Sequence, residues 1–139
     1  MNQNERRNTI LMALAAEMRR LEAIGDRMPV GLDRASCRAF RHESFEYRAH
    51  GIPYDPTRWL GEPLSHSDAA VLSRDLRHLE DMGLVVRINR WGGHRTTHVR
   101  LTRAGEMEAR RLVREQEAEM DRLMAELGPI MMPDPVSTT

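Results

Sequence analysis

The sequence is poor in several residue types, and each shortage excludes a class of protein. Its 139 residues include one cysteine, so no disulfide framework can form within a single chain. There is no signal-like apolar stretch and no run long enough to span a bilayer, which predicts a soluble cytoplasmic protein. Lysine is absent, and all 21 basic residues are arginine. Biased codon usage explains this more simply than a demand for the bidentate contacts that arginine makes with phosphate and guanine.

Patterns typical of catalysis or metal binding are also missing. There is no Gly-rich phosphate loop, nucleophile elbow or pair of carboxylates in a strand-helix context. His94 and His98 fall in an extended segment, where an i, i+4 spacing separates them by about 13 Å, too far for one zinc ion. Cys37, His42 and His50 do not share one face of a helix. We therefore expect a protein that is not an enzyme and has no cofactor and no metal.

An amphipathic helix occupies the middle of the chain. Leu72, Leu76 and Leu79 recur at helical spacing, and Ala69 and Met82 extend the same stripe in both directions. This spacing predicts one buried face.

The ends and the polar face of this helix are also readable. Ser65 or Ser67 can cap its start, and Gly83 supplies a left-handed stop. The opposite face carries small and basic residues, which allow close approach to a DNA groove and contacts to guanine or phosphate: Ser67, Ala70, Ser73, Arg74, Arg77 and His78. An ordinary solvated polar face is the alternative interpretation.

Two alternating segments after Gly83 predict a β-hairpin. Leu84, Val86 and Ile88 form the apolar face of the first strand, and Val99 and Leu101 that of the second. The tip between them, residues 90–96, contains a glycine pair that favours a reversal. From Gly83 to Gly105 there is no acidic residue, so every charged side chain is basic. Such a stretch favours binding to phosphate groups. The basic residues of this stretch are Arg87, Arg90, Arg95, Arg100 and Arg103.

Two segments resemble the MarR-type winged-helix transcription regulators. Residues 73–85 are similar to the recognition helix and first wing strand of that family, and residues 99–105 to its second wing strand and the start of the next helix. Together they cover about a third of the chain. The resemblance implies a homodimer whose recognition helices enter successive major grooves, with Arg95 at the wing tip.

The chain departs from the family pattern in two places. Gly93 stands where the wing commonly has an Asp that braces the tip Arg. Residues 51–63 contain three prolines and leave room for one helical turn around Trp59, so the positioning helix is shortened or replaced by a loop. We expect the side chains of Trp59 and Leu60 to pack in the hydrophobic core and so anchor this segment.

The ends of the chain predict two further helices that flank the winged helix. Leu11, Leu14, Met18 and Leu21 form a stripe near the start, which stops at Gly25. A similar stripe near the end follows a Thr102 cap and stops at Gly128-Pro129: Val113, Gln116, Met120, Leu123 and Leu127.

These features divide the chain into four parts. We assign residues 1–30 and 106–128 to a dimerisation layer, 33–105 to the DNA-binding domain and 129–139 to a loose tail. Packing of both flanking helices on their own domain is the alternative. Cys37 lies in a predicted helix from Asp33 to about His50, as a packed small side chain or, with Arg34, Arg38 and Arg41 nearby, as a redox sensor.

The net charge is zero, but it is unevenly distributed. Residues 106–139 contain four arginines and eight acids, a net charge of −4, so the preceding 105 residues carry +4. A positive surface therefore remains on a neutral protein.

We predict a mainly α-helical winged helix-turn-helix protein with a small β-hairpin wing. It would act as a homodimeric, sequence-specific regulator of transcription that binds double-stranded DNA. The residues expected in the major groove are Ser67, Ser73, Arg74, Arg77 and His78. The residues expected on the backbone or in the minor groove are Arg87, Arg90, His94, Arg95 and Arg100.

Two other functions stay open. The fold can serve as a protein-interaction module with Trp91 at the hairpin tip as its anchor, which the neutral net charge favours. A small-molecule effector that binds between the dimer layer and the DNA-binding domain is compatible with regulation of transcription.

Overall fold

The computed structural model describes residues 2–26, 31 and 33–131. Within them the chain is mainly helical and carries one small antiparallel sheet of three strands. In chain order the elements are α1 (Gln3–Asp26), α2 (Arg34–His50), β1 (Ile52–Pro53), α3 (Pro56–Leu60), α4 (His66–Asp81), β2 (Val85–Ile88), β3 (His98–Leu101) and α5 (Arg103–Met131). None of these helices is long and apolar enough to cross a bilayer.

Helix α1 supplies the centre of the core. The predicted stripe is confirmed, because Leu11, Leu14 and Leu21 are fully buried. The helix contacts α2, α3, α4 and α5 of the same chain. Its apolar face is therefore used within its own domain, and any contribution of α1 to a dimer must come from its other face. The helix also runs one residue past Gly25, the predicted stop.

Helix α2 has the predicted bounds. The side chain of Asp33 caps its start by accepting a hydrogen bond from the backbone N–H of Ser36 at 2.7 Å. The Tyr47 hydroxyl bonds to Glu22 of α1, and Cys37 is half-buried, in agreement with a packed side chain.

The proline-rich segment contains a short helix, as predicted. Asp55 caps α3 and Gly61 ends it with a φ of 80°. Trp59 is buried against the core, and Tyr54 meets its ring edge-on with centroids 5.3 Å apart. The sequence did not predict β1, because two residues show no alternation and Pro53 has no N–H to donate.

Helix α4 begins and ends where the sequence predicts. The Ser65 hydroxyl accepts from the N–H of Asp68 at 3.2 Å, and Gly83 takes a φ of 76°. The three central leucines are buried. The extension of the stripe is wrong, because Ala69 and Met82 at the two ends are exposed.

The sheet has the strand order β1-β3-β2. Val85 pairs with Leu101 and Arg87 with Val99, so directly opposed residues share a face. Val85 and Val99 are fully buried, whereas Val86 is exposed. The predicted apolar face of the first strand is therefore wrong by one residue, because pairing with β3 and not local alternation sets the face of β2.

Helix α5 starts at the predicted cap, where the N–H of Gly105 donates to the Thr102 hydroxyl at 3.0 Å. The predicted end is wrong, because the helix continues through Gly128 and Pro129 to Met131. Pro129 falls in the last turn, where its missing N–H removes a single helix bond. The first three residues of the predicted tail, 129–139, therefore belong to α5, and the rest of that tail lies outside the described residues.

Gly105 permits a close approach that a side chain would block. A Cβ at this position would lie 1.9 Å from the carbonyl oxygen of Leu84. We expect Gly105→Ala to lower the free energy of unfolding by about 1 to 3 kcal/mol or more, because backbone atoms must move apart. Urea unfolding measures this change, with Ala104→Ser at the exposed neighbouring position as the control. Equal midpoints for the two variants would contradict the predicted contact.

Candidate nucleic-acid interface

The outer face of α4 is open to solvent. Ser67, Ser73, Arg74 and Arg77 are exposed, and His78 is half-buried. Neither arginine makes a hydrogen bond or an ion pair within the described residues. These two guanidinium groups therefore have all their donors available to a ligand.

A buried carboxylate, paired with two partly exposed arginines, fixes the opposite side of α4 to α1. Asp75 is 3% exposed, and its two carboxylate oxygens accept hydrogen bonds from Nε of Arg6 at 3.1 Å and Nε of Arg7 at 3.4 Å. A buried carboxylate requires such partners, since it loses its hydration. Asp75 thus holds the axis of α4 in place, a role that the sequence did not reveal.

The second strand is attached to α4 through Arg87. Its backbone N–H and its guanidinium both donate to Glu80, at 2.9 Å and at 2.9 to 3.2 Å. These bonds hold the pKa of Glu80 below its ordinary value. The predicted phosphate contact for Arg87 is not supported, because the guanidinium is already paired with a carboxylate.

A cluster around Glu46 joins the hairpin to α2. One oxygen of Glu46 accepts from Nε2 of His98 at 2.9 Å and from Nη1 of Arg90 at 3.0 Å. His98 is 4% exposed, and its Nδ1 is hydrogen-bonded to the Thr97 hydroxyl at 2.9 Å. Burial alone would raise the pKa of Glu46, but the His98 bond and the charges of Arg90 and His50 lower it overall. Arg90, predicted to bind phosphate, is therefore partly neutralised.

The remaining basic residues of the hairpin differ in their engagement. Nη2 of Arg100 donates to the carbonyl of Arg48 at 3.1 Å, and its side chain lies over Gly51. The predicted contact of Arg100 with the DNA backbone or minor groove is thus less well supported, because this residue joins β3 to the end of α2. His94 and Arg95 at the tip are exposed, and Arg95 makes no side-chain bond within the described residues.

Side-chain bonds of Asn89 hold the hairpin tip. Its carbonyl oxygen accepts from the N–H of Trp91 at 2.8 Å, and its amide donates to the carbonyl of Arg95. Gly92 takes a φ of 81° in the turn. Asn89 therefore braces the tip. Trp91 is 76% exposed, and the Arg90 guanidinium lies 5.0 Å from its ring centre.

No group of three or more histidine, cysteine or acidic side chains in the described part of the chain is arranged to hold a metal ion. A cavity of about 300 Å³ lies beside α4. Its apolar lining includes Ile10, Leu64 and Leu72, and its polar lining includes Arg6 and Asp75. The cavity adjoins the ion pair that holds α4, and its size suits a small ligand.

No family model, curated protein or solved structure matches this chain.

The Asp75 pair gives a prediction for stability. We expect Asp75→Ala to lower the free energy of unfolding by roughly 2 to 3 kcal/mol, since two charged hydrogen bonds are lost and the arginines lose their buried partner. The matched control is Asp81→Ala, an exposed carboxylate on the same helix, with an expected change within about 0.5 kcal/mol. Chemical unfolding of both variants gives the comparison. A loss for Asp75→Ala no larger than that of the control would refute the role given to Asp75.

The Glu46 cluster gives a prediction for pH dependence. Because folding lowers the pKa of Glu46 from its ordinary 4.5, the ionised carboxylate stabilises the folded chain above that value, and this contribution is lost as the pH falls through the folded-state pKa. Urea midpoints between about pH 6 and about pH 3 should therefore fall more steeply for the wild type than for Glu46→Gln. Identical slopes would show that Glu46 does not contribute.

Proposed function

We propose that this chain is a homodimeric, sequence-specific DNA-binding regulator of transcription with a winged helix-turn-helix, similar to the MarR-type regulators and located in the cytoplasm. The observation that carries the proposal is the open face of α4. Arg74 and Arg77 stand one turn apart on it and make no hydrogen bond or ion pair in the described residues, although the charge of Arg77 also acts on Glu80, and the opposite face is fixed to the core. Paired arginines on a rigid helix suit guanine edges in a major groove.

The order of the elements supports the same proposal. A short helix capped by Asp55 precedes α4, and a hairpin follows it after three residues. The Glu80–Arg87 pair attaches this hairpin to the last turns of α4, so the helix and the hairpin keep one relative orientation. A helix and a hairpin fixed in this way can contact a groove and its flanking backbone together.

Three hairpin arginines are engaged within the protein, so the proposed interface is smaller than the charge pattern suggested. We assign base reading to Arg74 and Arg77, with Ser67, Ser73 and His78 around them. Backbone or minor-groove contact falls to Arg95 and His94 at the tip. Arg90 has donors left after its single bond to Glu46 and lies beside them.

The homodimer is supported by the second half of α5. Met120, Leu123, Met124 and Leu127 lie on one face of this helix, and all four are exposed. Exposing four large apolar side chains on one helix face to water is unfavourable, which favours coverage of this face by a second copy of the chain.

Mutation of the three free arginines tests the division of labour. Arg74→Ala and Arg77→Ala should each reduce the discrimination between bases at one position of the site by about 1 to 3 kcal/mol. Arg95→Ala should lower the affinity for all DNA sequences alike and reduce the slope of log affinity against log salt concentration by about 1. The operator is first obtained by selection from random duplexes at moderate salt. The control is Arg38→Ala, an exposed arginine on α2. Equal losses on selected and random DNA for all three variants would refute the assigned roles, and the absence of any selected sequence would refute specific binding.

A protein-interaction module is the second candidate, favoured by the exposure of Trp91. An aromatic side chain at a hairpin tip can act as an anchor in a partner's pocket. Salt separates the two functions, because DNA binding falls steeply as salt rises and an anchor-driven contact changes little.

A further inference from the structure

The arginines and acids of α5 have a reciprocal arrangement. Arg110, Arg114, Glu117 and Asp121 lie on one flank of the apolar stripe, within about 60° around the helix axis. The first two are basic and the last two acidic. The pairs 110 with 121 and 114 with 117 have a common midpoint between residues 115 and 116. When two such helices lie antiparallel, the acids on this flank of one helix face the arginines on the same flank of the other.

We propose that two copies of this chain pair through antiparallel α5 helices about a two-fold axis near residues 115 and 116. Antiparallel helices related by a two-fold axis present the same flank to each other, and every contact occurs twice. Arg110 then faces Asp121 of the partner subunit, and Arg114 faces the partner's Glu117. This inference rests on the proposed dimer and specifies its register.

The surface that would receive the partner helix carries unmatched positive charge. A cavity of about 400 Å³ between α1 and α5 is lined by Arg19, Arg110 and Arg114 together with Met107 and Val113. None of these three arginines makes a hydrogen bond or an ion pair in the described part of the chain. Met107, which also lines this groove, is 59% exposed. The groove thus offers both charge and apolar surface to the acidic second half of α5.

The acids that would enter this groove are also unmatched. Glu117 and Asp121 have no hydrogen bond or ion pair among the described residues. By contrast, the arginines on the side of α5 away from the stripe pair within one chain, Arg111 with Glu108 and Arg122 with Glu119. Glu117 and Asp121 are therefore the acids available to the arginines of a second copy.

A parallel arrangement lacks this complementarity. Parallel helices present opposite flanks to each other, as in parallel coiled coils. Glu117 and Asp121 of one copy would then approach Glu115 and Glu119 of the other. Glu115 and Glu119 already pair with Arg111 and Arg122 of their own helix. A parallel pair therefore gives Glu117 and Asp121 no unmatched arginine to bind.

Charge reversal with rescue tests the register. Arg110 and Asp121 are too far apart to touch within one helix, so a restored contact must be between copies. Sedimentation equilibrium of the full chain should show the dimer dissociation constant rising by about tenfold or more for Arg110→Glu and returning toward the wild-type value in Arg110→Glu/Asp121→Arg. The matched control, Arg110→Glu/Glu126→Arg, restores the same net charge on the opposite flank and should not rescue. Equal helical circular dichroism of all variants shows that each chain folds.

The outcomes separate this inference from the dimer itself. If Leu123→Glu/Met124→Glu dissociates the dimer while Arg110→Glu leaves it unchanged, the register is wrong and the dimer stands. Equal rescue by both double variants also overturns the register, because net charge alone would then explain the effect. A wild-type chain that stays monomeric at every concentration overturns the proposed dimer, whereas DNA selection tests nucleic-acid binding independently.

Discussion

The carboxylate of Asp75 is the constraint on which the arrangement of this protein depends. It lies in the interior between α1 and α4, where, among the described residues, the two arginines of α1 compensate for its lost hydration. Around this pair, the leucines of both helices complete one core, which Trp59 closes from the side of α3. The result is a helix held rigidly on one side and open on the other, with its free arginines at fixed positions. The proposed DNA-reading role would require this rigidity, because misplaced donors lose directional hydrogen bonds.

Carboxylates decide which basic residues of the hairpin remain available. Glu80 forms an ion pair with Arg87, and Glu46 forms one with Arg90. The guanidinium of Arg100 donates to a backbone carbonyl at the end of α2. These contacts join the sheet to α4 and to α2, so positive charge is used to orient the hairpin. Of the basic residues proposed to contact DNA, those on α4 and Arg95 at the tip make no hydrogen bond or ion pair within the described residues. Counting charges along the sequence overestimates the basic surface for this reason, since both partners of an ion pair can be distant in the chain.

Local signals predicted much of the fold. The leucine spacing placed α1 and α4, and the caps at Ser65 and Thr102 placed the starts of α4 and α5, because helix periodicity and capping depend on residues within a few positions of each other. The predictions failed where burial or strand orientation depends on residues that are distant in the sequence. The face of β2 depends on its register with β3, and the burial of Asp75 depends on arginines 68 and 69 positions earlier. For the candidate site, the exposed arginines of α4 were found, but the engagement of Arg87, Arg90 and Arg100 was not.

By itself the sequence determined the helical elements, the hairpin, the open polar face of α4 and the amphipathic ends, since each follows from spacing along the chain. Only the tertiary structure decided which face of each strand is buried, which arginines are neutralised and which apolar stripe stays exposed. The stripe of α1 is covered by its own domain, while that of α5 extends past it. The physical reason is that burial and ion pairing depend on which elements meet in space, and no spacing within one element contains that information.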